Sequence, residues 1–364
     1  MHLTSAHLRY DMRIFTKMCL SLKRNGFDVA VVFADGKGDE VINGVSIFDV
    51  GLNLGGRLSR MTKTSYRVLK KAKNLDADVY HIHDPELIPV GLVLKKLGKK
   101  VIFDAHEDLP KQLLAKPYLN KYVKLALSKI AQWFEVYSCQ KFDAVVCATP
   151  LITEKFSTIN SNTVNINNFA FLNEYSENID WAKKPNEAAY VGDISKFRGI
   201  KEVITAIQYT QNLRLNLAGN FTEKEFEVQI KMHKGWSKVN DLGYLTNQNV
   251  KEVLARSKMG LVTLHPIPNY KDALPVKMFE YMAAGIPVIA SNFTLWQEII
   301  EGNECGICVN PLETRAINKA IRYLIDNPKI AQKMGENGRQ AVKQKYNWAI
   351  EEKKLFRLYE RVLQ

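Results

Sequence analysis

KDALPVKMFEYMAAGIPVIAS, residues 271–291, sets two carboxylates, Asp272 and Glu280, around a proline and a lysine, and runs an apolar stretch ending in glycine into a second apolar stretch of β type. Pro275 suits the first position of a helix, where its missing N–H would be unpaired anyway, and Gly285 suits the position just past the end, where left-handed backbone is cheap. The spacing predicts a short helix over 275–284 and a buried strand over 286–290. A helix feeding a parallel strand is the repeating unit of a doubly wound α/β sheet. The N-terminus of such a helix offers unpaired N–H groups and a positive dipole to an anion. Lys277 adds a full cation in that first turn, which is unfavourable unless a ligand brings negative charge. A bound phosphate would resolve the conflict, and a solvated surface lysine is the plainer alternative.

Working outward, strands and helices alternate. Strands are expected at 2–4, 27–34, 79–84, 100–108 and 143–149, with helices at 14–25, 58–74, 86–97 and 111–140, the last with a break near Pro117. A second series begins at AAYVGD (188–193), continues through strands at 213–219, 239–242 and 259–265, and ends in helices at 313–325, 328–344 and 347–363. Alternation of this kind means parallel sheets covered on both faces. With 364 residues the chain exceeds one ordinary core, so two domains of roughly 170 residues each are expected. FLNEYSENIDWAKKPNE (171–187) is polar and without periodicity. The expected division is therefore an N-terminal domain at 1–172, a linker at 173–187, a C-terminal domain at 188–345 and a final helix at 346–364 that returns to the first domain.

Composition narrows the class. Hydrophobic residues make up 46% of the chain and prolines number 12, which fits a globular protein. No apolar stretch approaches the ~20 residues that span a bilayer, and MHLTSAHLRYDMR lacks a signal-peptide core, so a cytoplasmic location is expected. Five cysteines at irregular spacing fit a reducing compartment, and the lone CGIC pair, Cys305 and Cys308, has no partner pair for zinc. The net charge is 51 minus 38, or +13, and residues 95–141 hold ten lysines against four acids. Such an excess draws an anionic partner or is simply a solvated surface. In KQLLAKPYLNKYVKLALSKIAQWFEVY (111–137), Leu119, Tyr122, Val123, Ala126, Leu127 and Ile130 form a stripe expected to pack on its own domain, leaving Lys111, Lys116, Lys121, Lys124 and Lys129 outward to meet an anionic membrane.

Open α/β sheets bind ligands outside the carboxyl ends of their strands, and there the ionisable residues gather. VYHIHDPE carries His81, His83, Asp84 and Glu86; VIFDAHED carries Asp104, His106, Glu107 and Asp108. Residues two apart share a strand face, so Asp104 and His106 are expected in one cleft. Gripping sugar hydroxyls, holding zinc or iron, and capping the following helices all remain open to these side chains.

PVKMFEYMAAGIPVIAS followed by WQEIIEGNECGICVNPLE resembles the donor-binding signature of the family 4 retaining glycosyltransferases, and HIHDPELIPVGLVLKKLGKKVIFDAHED resembles the acceptor half of their bacterial surface-polysaccharide members. The resemblance implies the GT-B fold, two Rossmann-like doubly wound domains facing a central cleft. It places Asp272 and Glu280 as the paired acids of the donor pocket, Glu280 on the nucleotide ribose and Asp272 near the donor sugar. Arg198 and Lys277 ground the diphosphate, helped by Lys196, with Gly192, Gly199, Tyr244, Leu274, Pro275 and Val276 completing the donor site. His106 steadies the sugar, and His7, Asp11, Arg13, His83, Asp84 and Glu107 face the acceptor.

Three features depart from the pattern. The first acid is Asp272 where Glu is more usual, Asp193 stands in YVGDISKFRGI where a first Arg is common, and SAHLRYDMRIF replaces the usual glycine-rich loop. The resemblance implies a hexosyltransferase that needs no cofactor or metal, takes a nucleotide sugar (UDP-linked favoured) and acts on a lipid-linked or glycan acceptor at the inner face of the plasma membrane. The alternatives are a sugar-nucleotide epimerase of the same shape and a non-catalytic basic protein binding nucleic acid. Against the last, the basic stretch lacks the interleaved stacking aromatics of single-strand binders and shows no helix-turn-helix or zinc pattern, so no nucleic acid is expected.

Overall fold

The computed structural model describes residues 1–114, 120–172, 175 and 181–364. Lys116, Pro117, Leu119 and most of the first half of the expected linker (173–174 and 176–180) lie outside the described residues. The chain divides into two compact units, Met1–Asn168 with Trp348–Gln364, and Phe169–Asn347.

The first unit is built on eight strands, β1 His2–Leu3, β2 Ala30–Phe33, β3 Glu40–Ile42, β4 Val45–Asp49, β5 Val79–Ile82, β6 Lys100–Ala105, β7 Ala144–Cys147 and β8 Thr163–Asn165. Their order is β3-β4-β2-β1-β5-β6-β7-β8, all parallel except the antiparallel edge pair β3 and β4. β1 is only two residues long yet sits at the centre, because His2 pairs with both Val31 and His81. The inner strands β5 and β7 are buried at every position, as expected of a parallel sheet covered on both faces. The final helix, Trp348–Leu363, belongs to this unit: Leu355, Leu358 and Val362 are buried, and Glu351 accepts from the Asn167 backbone N–H at 2.9 Å.

The second unit holds six parallel strands, β9 Glu187–Val191, β10 Arg214–Ala218, β11 Val239–Gly243, β12 Met259–Val262, β13 Val288–Ser291 and β14 Gly306–Val309, in the order β11-β10-β9-β12-β13-β14. The helix read from the opening stretch is Val276–Ala283, with Pro275 as the last residue before it and Gly285 left-handed (φ 67°) just after it. Its apolar residues Met278, Phe279, Tyr281 and Met282 are buried in the core of this unit.

Two local features differ from the expectation. The first helix begins as a wide-turned π-type segment, Met12–Cys19, in which the Thr16 N–H reaches back five residues to the Asp11 carbonyl. Helix Lys121–Cys139 buries the opposite face from the one expected: Ser128, Glu135, Ser138 and Cys139 face inward, while Tyr122, Val123, Leu125, Leu127, Ile130 and Trp133 are exposed. The inward face is polar because Glu135 pairs there with Lys155 at 2.7 Å.

Candidate functional site

In the second unit the residues of interest gather where β9 and β10 end and helix Val276–Ala283 begins. Lys277 is buried, and its ammonium has no hydrogen-bond partner among the described residues. It lies 3.9 Å from the centroid of the Tyr190 ring, which offers its π face to the cation. Gly192, at the end of β9, has φ 119°, and a Cβ there would stand 2.8 Å from the Lys277 Nζ, so glycine both permits the backbone and leaves room for the ammonium. Burial, then the nearby Arg198 charge, lowers the Lys277 pKa to about 7, with the Glu280 and Asp193 charges acting the other way. Arg198 sits over the Tyr270 ring at 5.1 Å and is followed by Gly199 (φ 74°), where a Cβ would collide with the Thr263 carbonyl at 1.9 Å.

Two buried or half-buried cations thus share one corner with a helix N-terminus. A small cavity of ≈ 120 Å³ beside it is lined by Gly192, Asp193, Gly219, Asn220 and Tyr244, among others. Asp272, Leu274, Pro275, Val276 and Glu280 are half-buried around the start of the helix, while Lys196 and Asp193 are exposed. Sequence reasoning missed Tyr190 and Gly219, whose roles come from neighbours distant in sequence, Lys277 and Gly192.

In the first unit, Asp104 is the hub. Its buried carboxylate accepts two hydrogen bonds from Arg13, at 2.9 and 2.7 Å, and lies 3.1 Å from His83 Nδ1 and 2.9 Å from His106 Nε2. Burial would raise the Asp104 pKa, but Arg13 first and His106 next outweigh it and hold the carboxyl well below the usual range. Arg13 is therefore not an acceptor-facing group: it is buried, and its third nitrogen, Nη1, donates to the Ile166 carbonyl at 2.8 Å. Asp11 turns it inward by capping the helix, accepting from the Arg13 and Ile14 N–H groups.

His83 is also interior, whereas His106 stays half-exposed. A second group forms beside it. His7 lies 3.4 Å from both Asp11 and Asp84, and its ring is 5.0 Å from that of His106. Burial lowers the His7 pKa, but the Asp11 hydrogen bond and the Asp84 charge win and raise it. Asp84 in turn accepts from the Thr4 hydroxyl at 2.7 Å and the Ser5 N–H at 2.6 Å. Glu107 is exposed next to His106.

His2, His81 and His83, and likewise His83, Asp104 and His106, bring ligand-type atoms within 4.8 Å of one another. The His2 and His83 nitrogens already share a hydrogen bond of 2.8 Å, and Arg13 occupies both oxygens of Asp104, so this donor set is spent on itself.

The profile of the family described as Glycosyl transferases group 1 matches residues 173–341, and that of Glycosyltransferase Family 4 matches residues 13–161. The capsular polysaccharide biosynthesis glycosyltransferase CapM of Staphylococcus aureus is 25% identical over 266 residues, covering 64% of this chain and 67% of that protein. Among solved structures, the sucrose-phosphate synthase of Thermosynechococcus elongatus has a TM-score of 0.79 at 17% identity, covering 99% of this chain and 94% of that one. The HepE protein of Anabaena in complex with UDP-glucose has a TM-score of 0.72 at 15% identity, covering 99% and 98%. The chain spans 40% of the length of two further curated relatives. With both halves matched by family profiles and the GT-B fold shared over nearly its whole length, the chain belongs to the family 4 glycosyltransferases.

Proposed function

We propose that the protein is a retaining hexosyltransferase that moves a sugar from a UDP-linked donor to a lipid-linked or glycan acceptor in surface-polysaccharide synthesis. One observation carries the reading: a buried ammonium, Lys277, has no hydrogen-bond partner among the described residues at the start of a helix and faces a second cation, Arg198. A buried charge is costly unless paired, so this corner is built to be completed by an anion, and a nucleoside diphosphate fits it. UDP-glucose in the Anabaena structure and the capsular role of the staphylococcal relative support the choice of donor and product class.

In the reaction the bond between the sugar's anomeric carbon and the phosphate oxygen breaks while the acceptor oxygen bonds that carbon on the same face. The acceptor's proton passes to the departing phosphate oxygen. Lys277, Arg198 and the N–H groups that open helix Val276–Ala283 are aimed at charge growing on the diphosphate, where preorganised donors act most strongly. Arg198 serves as a fork and Lys277 as a point charge. Glu280 bonds the ribose, Asp272 and His106 attend the sugar, and His7, Asp11, Asp84 and Glu107 are the acceptor-side groups. The lysines and apolar residues outward on helix Lys121–Cys139 suit an anionic membrane at the cytoplasmic side, where a lipid-linked acceptor would be anchored.

The test compares UDP with uridine in thermal melts and calorimetry, followed by a screen of UDP-sugars for UDP release. UDP should raise the melting temperature and uridine should not, because ligands of the native state stabilise it by mass action. Lys277→Met should erase the UDP effect. Equal responses to UDP and uridine in the parent chain, or none to either, would overturn the reading.

A further inference from the structure

His106 reaches the interior through Asp104, and the interior continues the line. His83 Nε2 lies 2.8 Å from His2 Nδ1, His2 Nε2 lies 3.1 Å from the Tyr359 hydroxyl, and that hydroxyl lies 2.9 Å from His81 Nδ1. All four side chains are buried. Tyr359 comes from the final helix, so the line joins β1, β5, β6 and helix Trp348–Leu363 within one unit. Two of its members, His2 and Tyr359, line a cavity of ≈ 430 Å³ together with Met1 and Asp28.

The proton on each nitrogen can be worked out from the carboxylate. Asp104, ionised against Arg13, only accepts, so His83 Nδ1 and His106 Nε2 must both carry hydrogen. A neutral His83 then presents a bare Nε2, which His2 Nδ1–H fills. His2 is left with a bare Nε2, which the single proton of Tyr359 fills. The Tyr359 oxygen must then accept from His81 Nδ1–H, leaving His81 Nε2 bare. That last nitrogen is buried and has no hydrogen-bond partner among the described residues, the end expected of a line whose direction is set at Asp104.

We propose that Tyr359 and His2 are positioning residues for His106: by donating along the line to His83 Nε2 they hold the His83 ring, whose tautomer Asp104 sets, against that carboxylate, and so fix how much of it is left to hold the His106 ring. The role rests on the assignment of His106 to the sugar. It goes beyond that assignment by extending the candidate site to the C-terminal helix. The charged and titratable groups around His106 are Asp104, His83, Arg13 and His7, the last carrying Asp11 and Asp84 with it.

Long-range proton–nitrogen NMR of histidine-labelled protein reads the tautomers without any substrate. His2, His81 and His83 should appear as Nδ1–H and His106 as Nε2–H, against the Nε2–H preference of free histidine. Tyr359→Phe removes that hydroxyl; His2 should then lose its single tautomer, and the His83 Nδ1–H and His106 Nε2–H resonances should both shift, because the His83 ring loosens on Asp104 and the carboxylate turns more of its charge to His106. Unmoved His83 and His106 resonances in Tyr359→Phe would overturn the proposal even if the variant lowers the melting temperature, as would an Nε2–H tautomer at His83 in the parent. Failure of the assignment shows separately, as His106→Ala turning over a UDP-sugar at the parent rate.

Discussion

Arg13 and Lys277 are both buried cations near strand ends, one in each unit, yet they stand in opposite conditions. Arg13 is locked to Asp104 by two hydrogen bonds and to a backbone carbonyl by a third. Lys277 has a tyrosine ring beneath it and, among the described residues, no hydrogen-bond acceptor. The difference separates a charge the fold uses from a charge the fold keeps for something else. In the sequence the two look alike, each a basic residue in the first turn of a helix.

Removing each should therefore have opposite effects on stability. Arg13→Ala leaves the Asp104 carboxylate buried without its main partner, and breaking a buried pair in this way costs about 3–5 kcal/mol. The melting temperature should fall steeply. Lys277→Met removes a buried charge that has nothing to pair with, so the ligand-free protein should melt no lower than the parent. Chemical denaturation of the two variants checks this, and a large loss of stability in Lys277→Met would mean that the ammonium supports the fold after all.

The helix Val276–Ala283 was legible in sequence because Pro275 and Gly285 are strong local punctuation and the strand after it is β-branched. The alternation of parallel strands was legible for the same reason. The inward turn of Arg13 was not, since it depends on Asp104, 91 residues away, and on a π-type turn that shifts the helix face. Nor could His2 be linked to Tyr359, 357 residues on, by any local pattern. The short edge strands β3 and β4 went unread because three to five residues carry too little periodicity. Helix Lys121–Cys139 shows a different limit: an apolar stripe reveals that a helix has two faces, without saying which one the domain covers.

A smaller effect sharpens the contrast through pH. The native Lys277 pKa is lowered from 10.5 to about 7, chiefly by burial. At pH 7 and below, the charged amine carries its full burial cost; as pH rises from about 7 towards 10.5 the native amine loses its proton before the unfolded one does, so its contribution to stability rises across that window. A diphosphate reverses this preference by favouring the ammonium. At pH 8, UDP should therefore bind with uptake of up to one proton, read by calorimetry in buffers of different ionisation enthalpy, and Lys277→Met should abolish the uptake. Buffer-independent heats in the parent chain would detach Lys277 from the diphosphate.

The smallest effect tests whether the same rule, that partnerless groups point to ligands, holds on the surface. Helix Lys121–Cys139 satisfies its interior charge, Glu135, with Lys155 at 2.7 Å, which also reaches Asp108 at 3.1 Å. Burial raises the Glu135 pKa even so, with Lys155 opposing. Outward it presents Tyr122 (80% exposed), Ile130 (61%) and Trp133 (66%), interleaved with Lys121, Lys124 and Lys129. Aromatic and aliphatic side chains beside lysines match the headgroup layer of an anionic bilayer, where each cation near the surface contributes roughly 1 kcal/mol and the rings bury in the interface. Vesicles containing phosphatidylglycerol should capture the protein at low salt and release part of it as ionic strength rises, with a residue of binding held by the apolar face. Lys121, Lys124 and Lys129 replaced together by Glu should lose the salt-sensitive part; Ile130→Ser with Trp133→Ser should lose the salt-resistant part while leaving the melting temperature unchanged, because neither side chain packs inside. Capture of both variants at the parent level would show that this face has another occupant, and self-association of the parent that the double variant abolishes would name it as a second copy of the chain.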